Sequence, residues 1–417
     1  MASFSFGSGN AAKLLRIPLY LVGRVGTSLI PRGGRWVFGC GAGIGDGALA
    51  LQRLVADEGH DTLWLTSSER EEQDAAALGI RTVPKSGLRG WWATARAGVL
   101  VVTHGLGDVN RYANAGAFVV QLWHGIPLKR IGLDSPATVQ VPDVPGAPLL
   151  RRLIALLYRG AAQRIRVLPA ASHRARGRLE SAFALGDDRV VVTGEPRVDV
   201  LSAGSPAERR ADAAERLELA VGALPSSART ILYAPTWRDG APDPAVPSAE
   251  QWMQIITLLE QYDAILLVRS HPLGAGGYAP PLPTDRVRSL GSDTLPDVTP
   301  VLAAVDVLVT DYSSLAYDVG LLAMPVLFLA PDAVEYARTR GFYGRFEDVA
   351  GDDPAADWDA LLIRLARLLE DDVARAEASA RSATLSAEMH AFRDGRNTRR
   401  VYETIRTRGI PAPKGAV

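Results

Sequence analysis

Short apolar runs, each closed by a turn and followed by a helix-length segment, recur along the chain in two series. The first opens with Arg35-Trp-Val-Phe-Gly-Cys40, which leads into the glycine-rich stretch Gly39–Gly47 and a helix around Ala48–Glu58. Thr62–Leu65, Gly98–Val102, Ala117–Gln121 and Arg189–Gly194 continue it. A charged, alanine-rich helix at 206–220 precedes the second series: Thr230–Ala234, Ala264–Val268, Arg286–Ser289, Val307–Thr310 and Pro325–Leu329. Apolar strands alternating with helices form parallel, doubly wound sheets. The pattern predicts an α/β protein with two Rossmann-like domains, 36–205 and 206–385, after an N-terminal segment at 1–35 and before a C-terminal helix and tail at 386–417. Two such domains facing across a cleft hold ligands at the carboxyl ends of their strands.

A length of 417 residues suits two domains, and 47% hydrophobic residues can fill both cores. The formal net charge is zero, so no bulk field attracts nucleic acid. The single cysteine, Cys40, forms no internal disulfide, which fits a reducing cytoplasm. The apolar stretch Leu14–Ile30 is broken by Arg16, Pro18 and Arg24, so neither a membrane-spanning helix nor a signal peptide is expected.

Local charge says more than the total. Lys13, Arg16, Arg24, Arg32 and Arg35 come before any acid, and the run from Ala147 to Arg178 holds eight arginines and no acid. Residues 11–30 read as an amphipathic helix. Lys13, Arg16, Tyr20, Arg24 and Thr27 form one stripe, and Leu14, Ile17, Leu21, Val22, Val25 and Leu29 the other. Such a helix either lies in a membrane interface or packs on its own domain. The expectation is an anionic membrane surface as partner, with Arg151 and Arg152 as a second cationic contact.

Four clusters follow expected strands. In Gln121-Leu-Trp-His-Gly-Ile-Pro-Leu-Lys129, His124 sits in a tight turn. Gly125 allows close backbone approach, and Lys129 adds positive charge. An imidazole there can accept a proton from a hydroxyl nucleophile, or only hydrogen-bond a loop. Arg269 and His271 follow the Ala264–Val268 run and can bind or protonate phosphate oxygens, unless they belong to an ordinary polar loop. Ser313 or Ser314 is expected to cap a helix whose free N–H groups suit a pyrophosphate, although many serine pairs cap helices with no ligand. Thr236 and Arg238 can reach phosphate and Trp237 can pack near a nucleotide, or the segment is a plain strand-end turn. The glycine-rich Gly39–Gly47 lacks the acidic ribose ligand of a dinucleotide site. The Asp357-Trp-Asp359 triplet follows no strand, so no metal is expected.

Several segments, in order, resemble the CDP-glycerol glycerophosphotransferase family, the teichoic-acid primases and polymerases. They are the His124 segment, Thr193-Gly-Glu-Pro-Arg-Val-Asp199, Tyr233-Ala-Pro-Thr-Trp-Arg-Asp239, Arg269-Ser-His-Pro272 and Thr310-Asp-Tyr-Ser-Ser314. Asp332-Ala-Val-Glu-Tyr336, Arg340-Gly-Phe-Tyr343 and Asp394-Gly-Arg-Asn-Thr-Arg399 complete the set. The resemblance implies a GT-B-like fold and a catalytic pair, His124 and His271. It implies a CDP-glycerol or CDP-ribitol donor and an acceptor on a polyprenyl-linked saccharide. Substrate contacts are expected at Gly125, Lys129, Arg197, Thr236, Trp237, Arg238, Arg269, Asp311, Ser313, Ser314 and Arg340. Ile126, Ser270, Val198 and Gly47 depart from the family pattern, and those in the first domain bear on the acceptor.

The expected reaction is attack of an acceptor hydroxyl on the β-phosphorus of the CDP-alditol, with CMP leaving and no cofactor required. The expected location is the cytoplasm, peripheral on the inner face of the membrane. Two other readings are a sugar-nucleotide glycosyltransferase of the same fold and a non-catalytic membrane-docking protein.

Overall fold

The computed structural model describes residues 17–141, 145–238, 243–270, 277–352 and 354–409. The chain divides into two units. The first comprises Met1–Gly125, Arg130–Asp199 and Arg396–Val417, and the second Ile126–Lys129 and Val200–Gly395.

Seven strands build the first unit: β1 (Trp36–Gly39), β2 (Thr62–Thr66), β3 (Thr82–Pro84), β4 (Val99–Val102), β5 (Phe118–Gln121), β6 (Ile165–Ala170) and β7 (Val190–Val192). They lie in the order β3-β2-β1-β4-β5-β6-β7, all parallel. Alternate side chains leave opposite faces of the sheet. Trp36 and Phe38 therefore join Trp64, Val101 and Val167 on one face, covered by Leu51 and Val55 and by Val401, Tyr402 and Ile405. Val37 joins Leu65, Leu100 and Val102 on the other, beneath Tyr158, Leu179 and Phe183.

The second unit is a five-stranded parallel sheet of β8 (Arg229–Ala234), β9 (Ala264–Val268), β10 (Val287–Ser289), β11 (Val307–Thr310) and β12 (Val326–Phe328), in the order β10-β9-β8-β11-β12. Its core sets Ile231, Tyr233, Leu266 and Val309 against Trp252 and Leu259 of one helix and Trp358, Leu361 and Leu365 of another. Local sequence starts the helices: Ser205 with Glu208, and Ser248 with Gln251, form reciprocal capping boxes. In both sheets the strand order reverses beside the first strand of the series, between β1 and β4 and between β8 and β11. Doubly wound sheets bind ligands at the carboxyl ends of such strands.

Two features differ from expectation. Strands β3 and β6 carry no clear sequence signal, because β3 is three residues ending in Pro84 and β6 contains Arg166 and Pro169. The C-terminal helix Asn397–Thr407, expected as a separate tail, belongs to the first unit, and the middle stretch of that unit runs to Asp199, against an expected boundary at 205. Asp199 ties the helix to this unit. Its carboxylate accepts the backbone N–H of Asn397 at 2.8 Å and of Thr398 at 2.7 Å, and the Thr398 hydroxyl at 2.7 Å. It thus caps a helix 198 residues away in sequence. Asn397 also donates to the Glu195 carbonyl, which joins the Thr193–Asp199 and Asp394–Arg399 segments of the family resemblance.

The N-terminal helix runs Ile17–Ser28, and Lys13 and Arg16 lie outside the described residues. Tyr20 and Thr27 of the stripe read as polar face inward, while Arg24 of that stripe is exposed. Tyr20 lies against Tyr112 with the rings tilted by 34°, Gly23 meets the Tyr112 backbone and Thr27 is buried. Val22, Val25 and Leu29 face outward, 72%, 64% and 80% exposed. Among the described residues no helix is long and apolar enough to cross a membrane.

Candidate functional site

In the first unit the turn after β5 carries His124. Trp123 has φ 64° and Gly125 φ 137°, so left-handed backbone on both sides turns the histidine away from the strand line. The imidazole is partly exposed, and its Nδ1 is enclosed, with no hydrogen-bond partner among the described residues. Two rings lie against it. The Trp123 indole is centred 4.3 Å away at 33°, and the His104 imidazole 4.2 Å away and within 5° of parallel.

His104 comes from the turn after β4, next to β5 in the sheet. Its Nδ1 is 2.8 Å from the Thr103 hydroxyl, and the Asp108 carboxylate accepts the backbone N–H of Thr103 at 2.9 Å and of His104 at 2.7 Å. Burial pushes the His104 pKa down to about 4 and that of Asp108 up to about 6. Burial also holds His124 well below the usual histidine value. The charges of His104 and Arg197 act in the same direction, and the Thr103 carbonyl opposes them. Arg197 is itself paired with Glu195 at 3.1 Å. A neutral imidazole is the form that accepts a proton.

In the second unit Asp311 ties the turn after β11 to the turn after β8. Its carboxylate accepts the backbone N–H of Thr236 at 2.9 and 3.0 Å and of Tyr312 at 2.6 Å. Arg238 donates to Asp311 at 2.8 Å, to Asp332 at 2.8 and 2.9 Å and to the Thr236 carbonyl at 2.6 Å. Its guanidinium lies 4.9 Å from the Tyr312 ring centre and 5.0 Å from that of Tyr336.

Arg238 and Asp311, expected at the substrate, are both buried and hydrogen-bonded to the turns they hold. The Arg269 guanidinium donates to the carbonyls of Leu290, Leu295 and Pro296 at 2.8 to 3.1 Å. Ser314 is the N-cap residue and its side chain makes no cap bond, while the preceding Ser313 hydroxyl accepts the Leu315 N–H at 3.2 Å. The helix they open, Leu315–Val319, has only five residues, so its dipole is small.

Thr236, Trp237, Ser313 and Ser314 remain partly exposed at the carboxyl ends of β8 and β11. Within the second unit Lys129 bridges to Phe342, and Leu128 accepts the Tyr343 N–H at 2.9 Å. His271 lies outside the described residues. Among the described residues, no three His, Cys, Asp or Glu side chains are grouped to hold a metal ion. Sequence reasoning missed His104, Trp123 and Asp108. The available signal was that Thr103-His104 directly follows an apolar run, as His124 does.

Comparison with known proteins gives this geometry a context. A teichoic acid glycerol-phosphate transferase of Staphylococcus aureus is 28% identical over 302 residues, 70% of this chain and 72% of that protein. A teichoic acid poly(glycerol phosphate) polymerase of Staphylococcus epidermidis is 31% identical over 249 residues, and the match spans only 31% of its length. The structure of the wall teichoic acid polymerase TagF superposes with a TM-score of 0.73 at 20% identity, covering 97% of this chain and 99% of that one. That likeness shows the fold, the GT-B-like class expected from sequence. The family model described as CDP-Glycerol:Poly(glycerophosphate) glycerophosphotransferase matches residues 41–407, and the chain belongs to that family.

Proposed function

We propose that this chain transfers a glycerol-phosphate or ribitol-phosphate unit from a CDP-alditol to a hydroxyl of a polyprenyl-linked saccharide or polymer in teichoic-acid-like polymer synthesis. Family membership supports the reaction class. A ribitol-phosphate polymerase of Staphylococcus aureus, TarK, 28% identical over 184 residues, keeps the second alditol in view. The observation that carries the reading is His124: a partly exposed imidazole at the carboxyl end of a central strand, held in its neutral form by burial.

In the proposed step the acceptor oxygen attacks the β-phosphorus and passes its proton to His124. The bond from that phosphorus to the bridging oxygen breaks, and CMP leaves with the α-phosphate. Positioning and charge stabilisation do most of the work in phosphoryl transfer. His271 is assigned to the leaving oxygen, and Thr236, Trp237, Ser313 and Ser314 to the nucleotide and its phosphates. Lys129, Arg197 and Arg340 supply positive charge, and Gly125 lets the substrate approach the backbone. Arg238, Arg269 and Asp311 act from behind, by holding the turns in place.

The acceptor calls for a peripheral membrane location, proposed on the cytoplasmic face. Two exposed surfaces support it. One is Val22, Val25 and Leu29 with Arg24. The other is Leu149, Leu153, Leu156 and Leu157 with Arg151 and Arg152, on the helix Ala147–Ala162.

CMP release measured for His124→Ala and His271→Ala tests the mechanism. Each change is expected to lower turnover at least about 10²-fold, the usual scale for general acid–base groups, with folding retained. Near-normal turnover in either variant removes that histidine from the mechanism.

A further inference from the structure

We infer that His104 is a positioning residue for His124: its ring fixes the plane of the His124 imidazole for the arriving acceptor hydroxyl. The inference rests on the proposal that His124 is the base. It goes further by giving a role to a residue of the β4 turn.

The enclosed Nδ1 of His124 has no hydrogen-bond partner among the described residues. The Thr103 backbone carbonyl acts on the ring as an acceptor. The parallel stack with His104 and the contact with Trp123 add to that orientation by fixing the ring plane. A base must present its lone pair along the line of proton transfer, and a ring free to rotate loses that alignment.

His104 is fixed in turn by Thr103 and by Asp108, and the glycine-rich loop after β1 is shaped around it. A Cβ on Gly41 would come within 2.7 Å of His104 Cγ and 2.9 Å of its Nδ1. This gives Gly41 of the Gly39–Gly47 stretch a structural purpose.

The charge argument has a definite sign. The charged or titratable groups that act on the pair and its supports are Arg197 on His124, Lys85 on Asp108, and Asp46 and Asp108 on Cys40, which accepts the Thr103 hydroxyl at 3.2 Å. As pH falls, the stacked imidazoles cannot both charge without repulsion across 4.2 Å. His104 opposes a proton on His124 once it is itself charged, at about pH 4, so it is the lowest part of the acid limb that it shifts.

The test compares His104→Ala, His104→Phe, Gly41→Ala and His124→Ala by steady-state CMP release from CDP-glycerol across pH, with near-UV circular dichroism to verify folding. His104→Ala is expected to lower kcat on the order of tenfold, the scale of a lost aromatic stack, with KM for CDP-glycerol within about twofold. His104→Phe keeps the stack without the charge, so it should restore most of kcat while moving the lowest part of the acid limb to higher pH. Gly41→Ala, which displaces the ring, should reproduce the kcat loss. If His124→Ala is inactive but His104→Ala keeps both wild-type kcat and the wild-type acid limb, the role of His104 is wrong and that of His124 stands. Failure of the phenylalanine to rescue kcat also overturns it. An active His124→Ala instead removes the underlying proposal.

Discussion

The Arg238 guanidinium meets the Asp311 carboxylate at 2.8 Å with both side chains almost wholly out of water, 5% and 2% exposed. Asp332 completes the arrangement from the other side at 2.8 Å. Breaking a buried pair strands the remaining charge, at a cost of about 3–5 kcal/mol. Arg238→Ala is therefore expected to lower the urea midpoint by an amount equivalent to about 3 kcal/mol or more. Arg238→Lys should also destabilise, because an ammonium cannot make the two-point contact to Asp332. A raised KM for CDP-glycerol with unchanged stability would instead make Arg238 a direct phosphate ligand.

Asp108 yields a pH prediction. Its pKa of about 6 lies above the ordinary 3.8 because burial penalises the carboxylate, although three backbone N–H groups favour it. Between those values the folded chain holds a proton that the unfolded chain has released. The stability this group contributes is therefore present below about pH 4 and is lost as pH rises toward 6. Asp108→Asn keeps an acceptor oxygen without the charge, so it should flatten that slope in urea titrations at pH 4, 5, 6 and 7. An unchanged slope would show that Asp108 titrates normally.

Membrane docking should respond to the outward side chains without a change in fold. Val25→Asp with Leu29→Asp, and separately Leu149→Asp with Leu156→Asp, replace exposed residues, so the thermal midpoint should stay close to wild type. Sedimentation with anionic liposomes at low salt should fall for both pairs. Arg151→Glu with Arg152→Glu should also weaken it, and wild-type binding should weaken as salt rises. Equal binding to neutral and anionic vesicles, or no binding at low salt, would contradict the docking proposal.

Much of the fold was legible because apolar strands and turn chemistry are local signals. Val307–Thr310 reads as a buried strand in sequence and is one in the sheet. Strand β6 was not legible, since its partners, and not its own composition, make Ile165–Ala170 a strand. The site divides in the same way. His124 was legible from its turn, whereas its stack on His104 joins two strands that neighbour only in the sheet. Arg238 shows the converse limit. An arginine beside a phosphate and one buried between two aspartates read alike in sequence, and its pairing with Asp311 and Asp332 is visible only in the fold. The N-terminal helix was found by its periodicity, but which side packs inward was set by Tyr112, far along the chain.

The central claim is transfer of an alditol phosphate with release of CMP. It is tested most directly by incubating the chain with CDP-glycerol, CDP-ribitol or UDP-sugars and a polyprenyl-linked disaccharide, then resolving nucleotides by chromatography and the acceptor by mass. The account predicts CMP from a CDP-alditol and an equal amount of acceptor heavier by one or more alditol-phosphate units, with none formed by His124→Ala. Release of a nucleoside diphosphate from a UDP-sugar, with an acceptor heavier by a sugar and no CMP from either CDP-alditol, would contradict it.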